Sequence, residues 1–373
     1  MPGQTDAMLL RLLVGTVGAV LVVWTILGAV KTVVLPRAAS ALLTRFLFIA
    51  LRRLVFDRIA SPRRSFEFRD RVMSMYAPTA LLLLPGLWVV SVLTGFAGIF
   101  WATGIRPWTE AWVTSGSSLF TLGYVRPPSL GRVLLSFGEA GIGLGLVSLM
   151  ISYLPTIYGA FSRREVLVAM LEVRAGTPPS PFELLARYHR IGRLELLGED
   201  LFASWEKWFA DVEESHTSQP ALAFFRSPHP GRSWITAAGC VLDVSALMSS
   251  TLDLPRDARE DVLIRAGFVS LRRIADFYAI DYNPDPHPGD PVSISREAFD
   301  LECDRLTEAG VPLKADRDQA WQNFSGWRVN YDQVLLALCA LVMAPPSPWS
   351  SDLVIGRRQK IRIVRSLRTK SPR

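Results

Sequence analysis

Ser117-Ser118-Leu119-Phe120-Thr121-Leu122-Gly123-Tyr124-Val125 lies between two long apolar runs, and the fold turns on how this strip is read. Ahead of it, residues 77–102 carry no charge over twenty-six positions; behind it, residues 133–161 carry a single acid, Glu139. Each run is long enough to cross the hydrocarbon core of a bilayer as a helix, for which about 20 residues suffice. A third run, residues 12–30, is uncharged between Arg11 and Lys31. It reads as a retained N-terminal span; the competing reading is a signal peptide with a loose cleavage pattern at Ala39-Ser40-Ala41.

The rest of the chain is too polar to be embedded throughout. Of 373 residues 50% are hydrophobic and 20% charged, so a membrane part joined to a soluble part is expected. The net charge of +7 is unevenly placed, and the placement is a topology signal rather than a nucleic-acid footprint. Residues 37–71 hold nine arginines against three acids (Asp57, Glu67, Asp70), which puts that loop on the cytoplasmic side. The chain after Arg163 lies on the same side, so residues 106–132, and the N-terminus, lie outside. Within the basic loop, residues 41–59 mix Leu42, Leu43, Phe46, Phe48, Ile49, Leu54, Val55 and Phe56 with Arg45, Arg52 and Arg53. Two readings stand: an amphipathic helix in the interface with arginines on anionic headgroups, or a linker helix packed on the soluble domain.

Local signals refine the spans. Pro78 falls in the first turn of the second run, whereas Pro85 is expected to kink it; Trp88 and Trp101 fit interface anchoring. Pro107-Trp108-Thr109-Glu110-Ala111-Trp112 reads as a helix start, with the helix ending over residues 115–120 and the chain turning back at Thr121. The third run is rich in glycine (Gly138, Gly141, Gly143, Gly145), with Pro155 near its inner end. Gly141, Gly143 and Gly145 are gating-hinge candidates or sites of close packing on the outer helix; Pro155 either bends this helix or ends it near Ser162. Glu139 is either a buried carboxylate behind the strip or an interfacial acid bonded to Arg132.

From Arg163 the pattern is soluble and helical. A basic helix over 163–174 is followed by a break at Gly176-Thr177-Pro178-Pro179-Ser180-Pro181. Helical spacing then recurs over 182–211, 221–225, 232–250, 258–278, 295–309, 315–320 and 329–342, with a rigid loop at 283–291 and no strand alternation. Arg328-Val329-Asn330-Tyr331-Asp332 precedes a strongly apolar helix, read as a core helix or a face toward the membrane domain. Cys240, Cys303 and Cys339 lack paired spacing and read as buried free thiols. His189, His216, His229 and His287 are scattered without metal-ligand spacing, and no nucleophile elbow, phosphate loop or zinc-protease motif occurs, so no enzyme, metal centre or cofactor is expected. Residues 357–373 hold eight basic residues and no acid, as suits a tail drawn to anionic lipid.

With the spans placed, residues 77–162 resemble the outer helix, pore helix, filter and inner helix of the two-transmembrane potassium channel family, over under a quarter of the chain. Members carry Thr-x-x-Thr-x-Gly-Tyr-Gly-Asp; here Ser118 stands at the first threonine, Thr121, Gly123 and Tyr124 match, and Val125 and Arg126 replace the last glycine and aspartate. Leu130-Gly131-Arg132 and Gly138-Glu139-Ala140-Gly141-Ile142-Gly143 are similar to the start of bacterial inner helices. The resemblance implies an all-α membrane protein whose strip Thr121-Leu122-Gly123-Tyr124-Val125 is a quarter of a selectivity filter, and therefore a homotetramer passing a monovalent cation, with potassium first. It implies Ser118, Trp112 and Glu139 as filter support, with the Tyr124 hydroxyl bonding a pore-helix residue such as Trp112. Arg126 then stands at the pore mouth. A β-branched Val125 resists the left-handed backbone, and four copies of Arg126 repel cations. Three outcomes stay open: a potassium channel with an altered outer site, a less selective cation channel, and a non-conducting interaction or sensory protein on a pore-like scaffold.

The expected organisation is an N-terminal membrane helix (1–36), a basic cytoplasmic linker with its amphipathic helix (37–76) and a pore module (77–162). A helical cytoplasmic domain (163–356) with an unidentified ligand and a polybasic tail (357–373) complete it. Absence of a glycine-rich dinucleotide motif in the soluble half argues against a nucleotide-binding regulatory domain there.

Overall fold

A computed structural model describes residues 2–33 and 42–351; the cleavage-like pattern at 39–41 and the polybasic tail lie outside the described residues. The described chain is helical, with no strand and one isolated bridge, Leu252 to Leu313. Three helical stretches, Thr5–Val33, Phe66–Ala102 and Leu130–Ala175, are long and apolar enough to cross a membrane. The helices are α1 (Pro2–Val33), α2 (Leu42–Leu51), a π turn (Arg52–Phe56) leading into α3 (Asp57–Ile59), α4 (Phe66–Ser74), α5 (Tyr76–Ala102), α6 (Trp108–Leu119) and α7 (Leu130–Ala175). Then come α8 (Pro181–Arg190), α9 (Ala203–Ser218), α10 (Trp234–Ser250), α11 (Ala258–Phe277), α12 (Arg296–Glu308), α13 (Arg317–Arg328) and α14 (Asp332–Val342). They form two compact units: described residues of 1–62 with Val72–Gly159, and Arg63–Arg71 with described residues from Ala160 onward.

In the first unit α1 lies antiparallel on α5, since Gly15, Gly18 and Val22 meet Ala102, Gly95 and again Gly95 in turn. A Cβ on Gly95 would lie 2.7 Å from the Gly18 carbonyl oxygen, and one on Gly18 would run into that of Gly95. Two backbones this close require small residues on both sides, the usual device where lipid removes the hydrophobic drive for helix pairing. Trp88 is fully buried in this unit's core with Leu84, Val92 and Phe96. It is therefore a packing residue and not an interface anchor. Trp101 is covered by Trp108 (ring centroids 4.7 Å, 11° between planes) with the Arg106 guanidinium 4.3 Å from the ring. Helix α5 runs unbroken through Pro85.

The segment from α2 to α3 packs part of its apolar side chains within the first unit. Phe48 and Phe56 pack edge-on against Tyr76, whose hydroxyl donates to the Phe48 carbonyl (3.0 Å), and Thr32 bonds Thr44 (3.0 Å). Phe46, Leu54 and Ile59 stay exposed. The helix thus divides its apolar side chains between the first unit and the outside.

Helix α7 differs from expectation most. Neither Pro155 nor Ser162 ends it; the apolar run and the basic helix after Arg163 form one helix of 46 residues, about 69 Å at 1.5 Å per residue.

The second unit is built around α10, buried at every position from Trp234 to Met248. The long pattern over 182–211 is broken at Gly192, whose φ of +67° closes α8: the Gly192 N–H bonds His189 and the Arg193 N–H bonds Tyr188. Arg164 is buried in α7 and donates to the Leu222 and Phe225 carbonyls, to Glu165 and to His216 Nε2. Burial first and the Arg164 charge second push His216 well below the ordinary histidine range, so it stays neutral. Arg328, also buried, donates to Asp243, to Asp332 (2.8 Å) and to the Trp349 carbonyl; Tyr331 donates to Asp243 (2.8 Å) and Ser293 to Asp332 (2.6 Å). This network makes 328–342 part of the core. Arg226 ties Asp70 of α4 to the Val342 and Met343 carbonyls, fixing the segment before α5 within this unit. The three cysteines are free and buried, and among the described residues no cluster of metal-ligand side chains occurs.

Glu260 carries a pH prediction. It is buried in the first turn of α11 with Oε2 unpartnered, and burial, then Asp257 and Asp261, push its carboxyl up to about 7. A raised carboxyl favours folding in its protonated form, so this contribution is present below about pH 4.5 and is lost as pH rises through about 7. At 1.4 kcal/mol per unit the loss is about 3 kcal/mol at most. Glu260→Gln is expected to raise the unfolding midpoint at pH 8 and to flatten its pH dependence between 4.5 and 7 in thermal melts of the full chain. An unaltered slope would show that Glu260 is ionised in the folded protein throughout that range.

Candidate functional site

Helix α6 starts after Pro107, with Glu110 in its first turn, and its last residues turn directly into the strip. The buried residues of α6 are Ala111, Thr114, Ser115, Ser117, Ser118 and Leu119. Two of its hydroxyls, those of Ser115 and Ser117, and one glycine of α7 set the geometry.

Ser117 holds the strip. Its carbonyl accepts the Leu122 N–H (2.9 Å) and the Gly123 N–H (3.3 Å), and its hydroxyl accepts the Val125 N–H (3.2 Å). The amides of the strip therefore point back at the end of α6, which leaves its carbonyls directed elsewhere. Thr121 (φ +54°) and Gly123 (φ +71°) are left-handed, while Leu122, Tyr124 and Val125 are not. Alternating hands along an extended strip is the backbone device that turns successive carbonyls to a common side. At Gly123 it is cheap; at Thr121 a side chain sits in a region that costs of order 1–3 kcal/mol, strain of the kind concentrated at functional sites.

Several expected roles change hands. Ser118 does not brace the strip: its hydroxyl donates back to Thr114 of its own helix (2.9 Å). The bracing residue is Ser117, one position earlier. The Thr121 hydroxyl donates to the Phe120 carbonyl (2.7 Å). Within the single chain Tyr124 and Trp112 are both exposed, with neither a hydrogen bond nor a ring contact between them. Arg126 is exposed and Pro127 buried beside it.

Glu139 of α7 faces α6 and, through Ser115, α5. It is fully buried, and its Oε1 is 2.5 Å from the Ser115 hydroxyl, which is also 3.0 Å from the Leu93 carbonyl of α5. The bond to Arg132 does not form, since Arg132 donates to the Thr103 carbonyl. Of the glycines, Gly143 is buried where α7 crosses the end of α6, and a Cβ there would run into the Leu119 carbonyl oxygen. Its packing partner is the short helix, not the outer one. Gly141 and Gly145 meet no neighbour within 4 Å, and α7 is continuous through them and through Pro155.

A sequence signal for Ser117 existed, since three of the four residues 115–118 are serines, but their division of labour depends on the rotation of α6 between α5 and α7. The glycines Gly15, Gly18, Gly95 and Gly98 were legible as small residues three apart on two apolar runs. The chain matches no family model, no curated protein and no solved structure.

Proposed function

We propose that the chain is one subunit of a homotetrameric cation channel, in which the strip from Thr121 to Val125 lines the ion path. The observation that carries this reading is the strip itself: amides tied back to Ser117, with left-handed residues at alternate positions, between two helices long enough to cross a bilayer. A filter of this type replaces an ion's hydration shell with backbone carbonyls, and one strip per chain supplies a quarter of each ring. The exposed stripe on α7 (Leu130, Leu134, Phe137, Leu144, Ile151, Tyr158) and the exposed Trp112, Phe120, Leu122 and Tyr124 are the surfaces that further copies and lipid would cover. The arginine bias supports a topology with α6 and the strip outside and the second unit in the cytoplasm, which we assign to a bacterial-type inner membrane. The exposed Phe46, Leu54 and Ile59, set among Arg45, Arg53 and Arg58, suit contact with anionic lipid. The permeant ion is a monovalent cation, with potassium first.

The test is flux. Purified full-length protein in liposomes is expected to pass potassium under an applied potential, and to run as a tetramer in detergent and lipid. No flux of potassium or sodium under any polarisation leaves the alternative, an interaction or sensory protein on a non-conducting scaffold. A monomer or dimer in both media removes the pore architecture as well. Val125→Gly combined with Arg126→Asp frees the backbone at 125 and reverses the charge at the mouth. It is expected to raise potassium flux by roughly tenfold, the low end of electrostatic focusing. Unchanged flux would mean that these two residues do not limit conduction.

A further inference from the structure

The hydrogen bonds at Ser115 leave one proton too few for an ionised Glu139. Ser115 Oγ lies within bonding distance of two acceptors, Leu93 O at 3.0 Å and Glu139 Oε1 at 2.5 Å. A hydroxyl carries a single hydrogen and can satisfy one of them. With a carboxylate, one of the two short oxygen–oxygen approaches has no hydrogen in it. Its second oxygen, Oε2, is also buried with no partner, and a carboxylate left with at most one hydrogen bond out of water is among the costliest arrangements a fold can hold. A carboxylic acid resolves both: its O–H donates to Ser115 Oγ, and the serine hydroxyl passes the bond on to Leu93 O.

No cation stands in for that proton. On α7 the nearest charged residue, Arg132, is seven positions earlier and bonded to the Thr103 carbonyl. Toward the other end the next is Arg163. Helix α6 offers only Glu110, exposed and five positions before Ser115. Around Leu93, α5 has no titratable side chain, and α1 keeps Asp6, Arg11 and Lys31 toward its ends. On the strip, Tyr124 and Arg126 are exposed. Ser136, one turn before Glu139 and itself unpartnered, does not reach it.

We propose that Glu139 is held as a neutral carboxylic acid and acts as the positioning residue of the strip, its proton joining α7, α6 and α5 through Ser115, so that alkaline loss of this proton releases the support. The chain of two bonds ends two residues before Ser117, which holds the amides of Leu122, Gly123 and Val125. Anything that rotates this end of α6 therefore reaches the strip. Control of conduction rests on the reading of the strip as a filter; the protonation of Glu139 does not, and the two are tested by separate measurements.

The first measurement is the infrared difference spectrum of wild type minus Glu139→Gln, full-length in lipid vesicles at pH 7. A protonated-carboxyl C=O band present only in the wild type is expected, shifted by deuterium exchange. Carboxylate bands in its place would overturn the proposal whatever the protein does with ions. The second is the pH profile of potassium flux, each protein normalised to its own maximum. Wild-type flux is expected to be lost as the pH is raised, with the Glu139→Gln profile flat over the same range; coincident profiles would overturn the regulatory role. Should neither protein conduct, the proposed function fails, and the melting temperature takes the place of flux. Wild type is then expected to lose thermal stability on alkalinisation relative to Glu139→Gln, and parallel curves would overturn the positioning role.

Discussion

Gly143→Val is expected to abolish flux and to destabilise the first unit by about 3 kcal/mol, the upper part of the range for overpacking a filled site. A Cβ at this position runs into the Leu119 carbonyl oxygen, a backbone atom with no rotamer in which to retreat. Both helices would have to separate, and separation pulls the end of α6 away from Glu139. Gly141→Ala and Gly145→Ala are the matched comparison. Their Cβ atoms enter open space, and alanine is the better helix former by up to about 1 kcal/mol. Thermal melts in lipid and liposome flux read all three. Wild-type behaviour of Gly143→Val would mean that α7 does not cross α6 as described, whereas equal damage from all three would point to a hinge.

Arg328→Met is expected to cost the second unit about 3–5 kcal/mol, the usual result of removing one partner of a buried ion pair. Asp243, fully buried, would keep only the Tyr331 hydroxyl, and Asp332 only Ser293. The Trp349 carbonyl would lose its donor as well. Domains are commonly stable by only about 5–15 kcal/mol, so much of the margin is at stake. Adding Asp243→Leu to Arg328→Met should recover part of the loss, because the penalty comes from the stranded carboxylate and not from absence of the pair. Midpoints of tryptophan fluorescence melts measure both variants. A single variant within 0.5 kcal/mol of wild type, the usual range of a surface substitution, would show the network to be solvated.

The membrane-length helices were legible because length and absence of charge decide them without reference to any partner. What the sequence hid was where helices end and which way they face. The apolar run and the basic helix of α7 differ in composition, and composition changes where a helix leaves one environment for another without the backbone noticing. Trp88 was misplaced because a tryptophan anchored at an interface and one packed in a core look alike until the neighbouring helices are in place. The pattern over 182–211 carried helical spacing straight through Gly192, and only the left-handed turn there reveals two helices. At the strip, Gly123 is left-handed, an angle that glycine adopts at no steric cost. The exchange of Ser118 for Ser117 was beyond reach, because neighbouring hydroxyls on a helix differ by 100° of rotation that only the packing of α6 settles. Asp243 and Arg328 lie 85 positions apart, and no local pattern ties them together.

Because Gly18 and Gly95 let the backbones of α1 and α5 touch, α1 is not interchangeable with any apolar helix of equal length: a leucine-rich replacement would still be long enough to cross a bilayer but could not seat on α5.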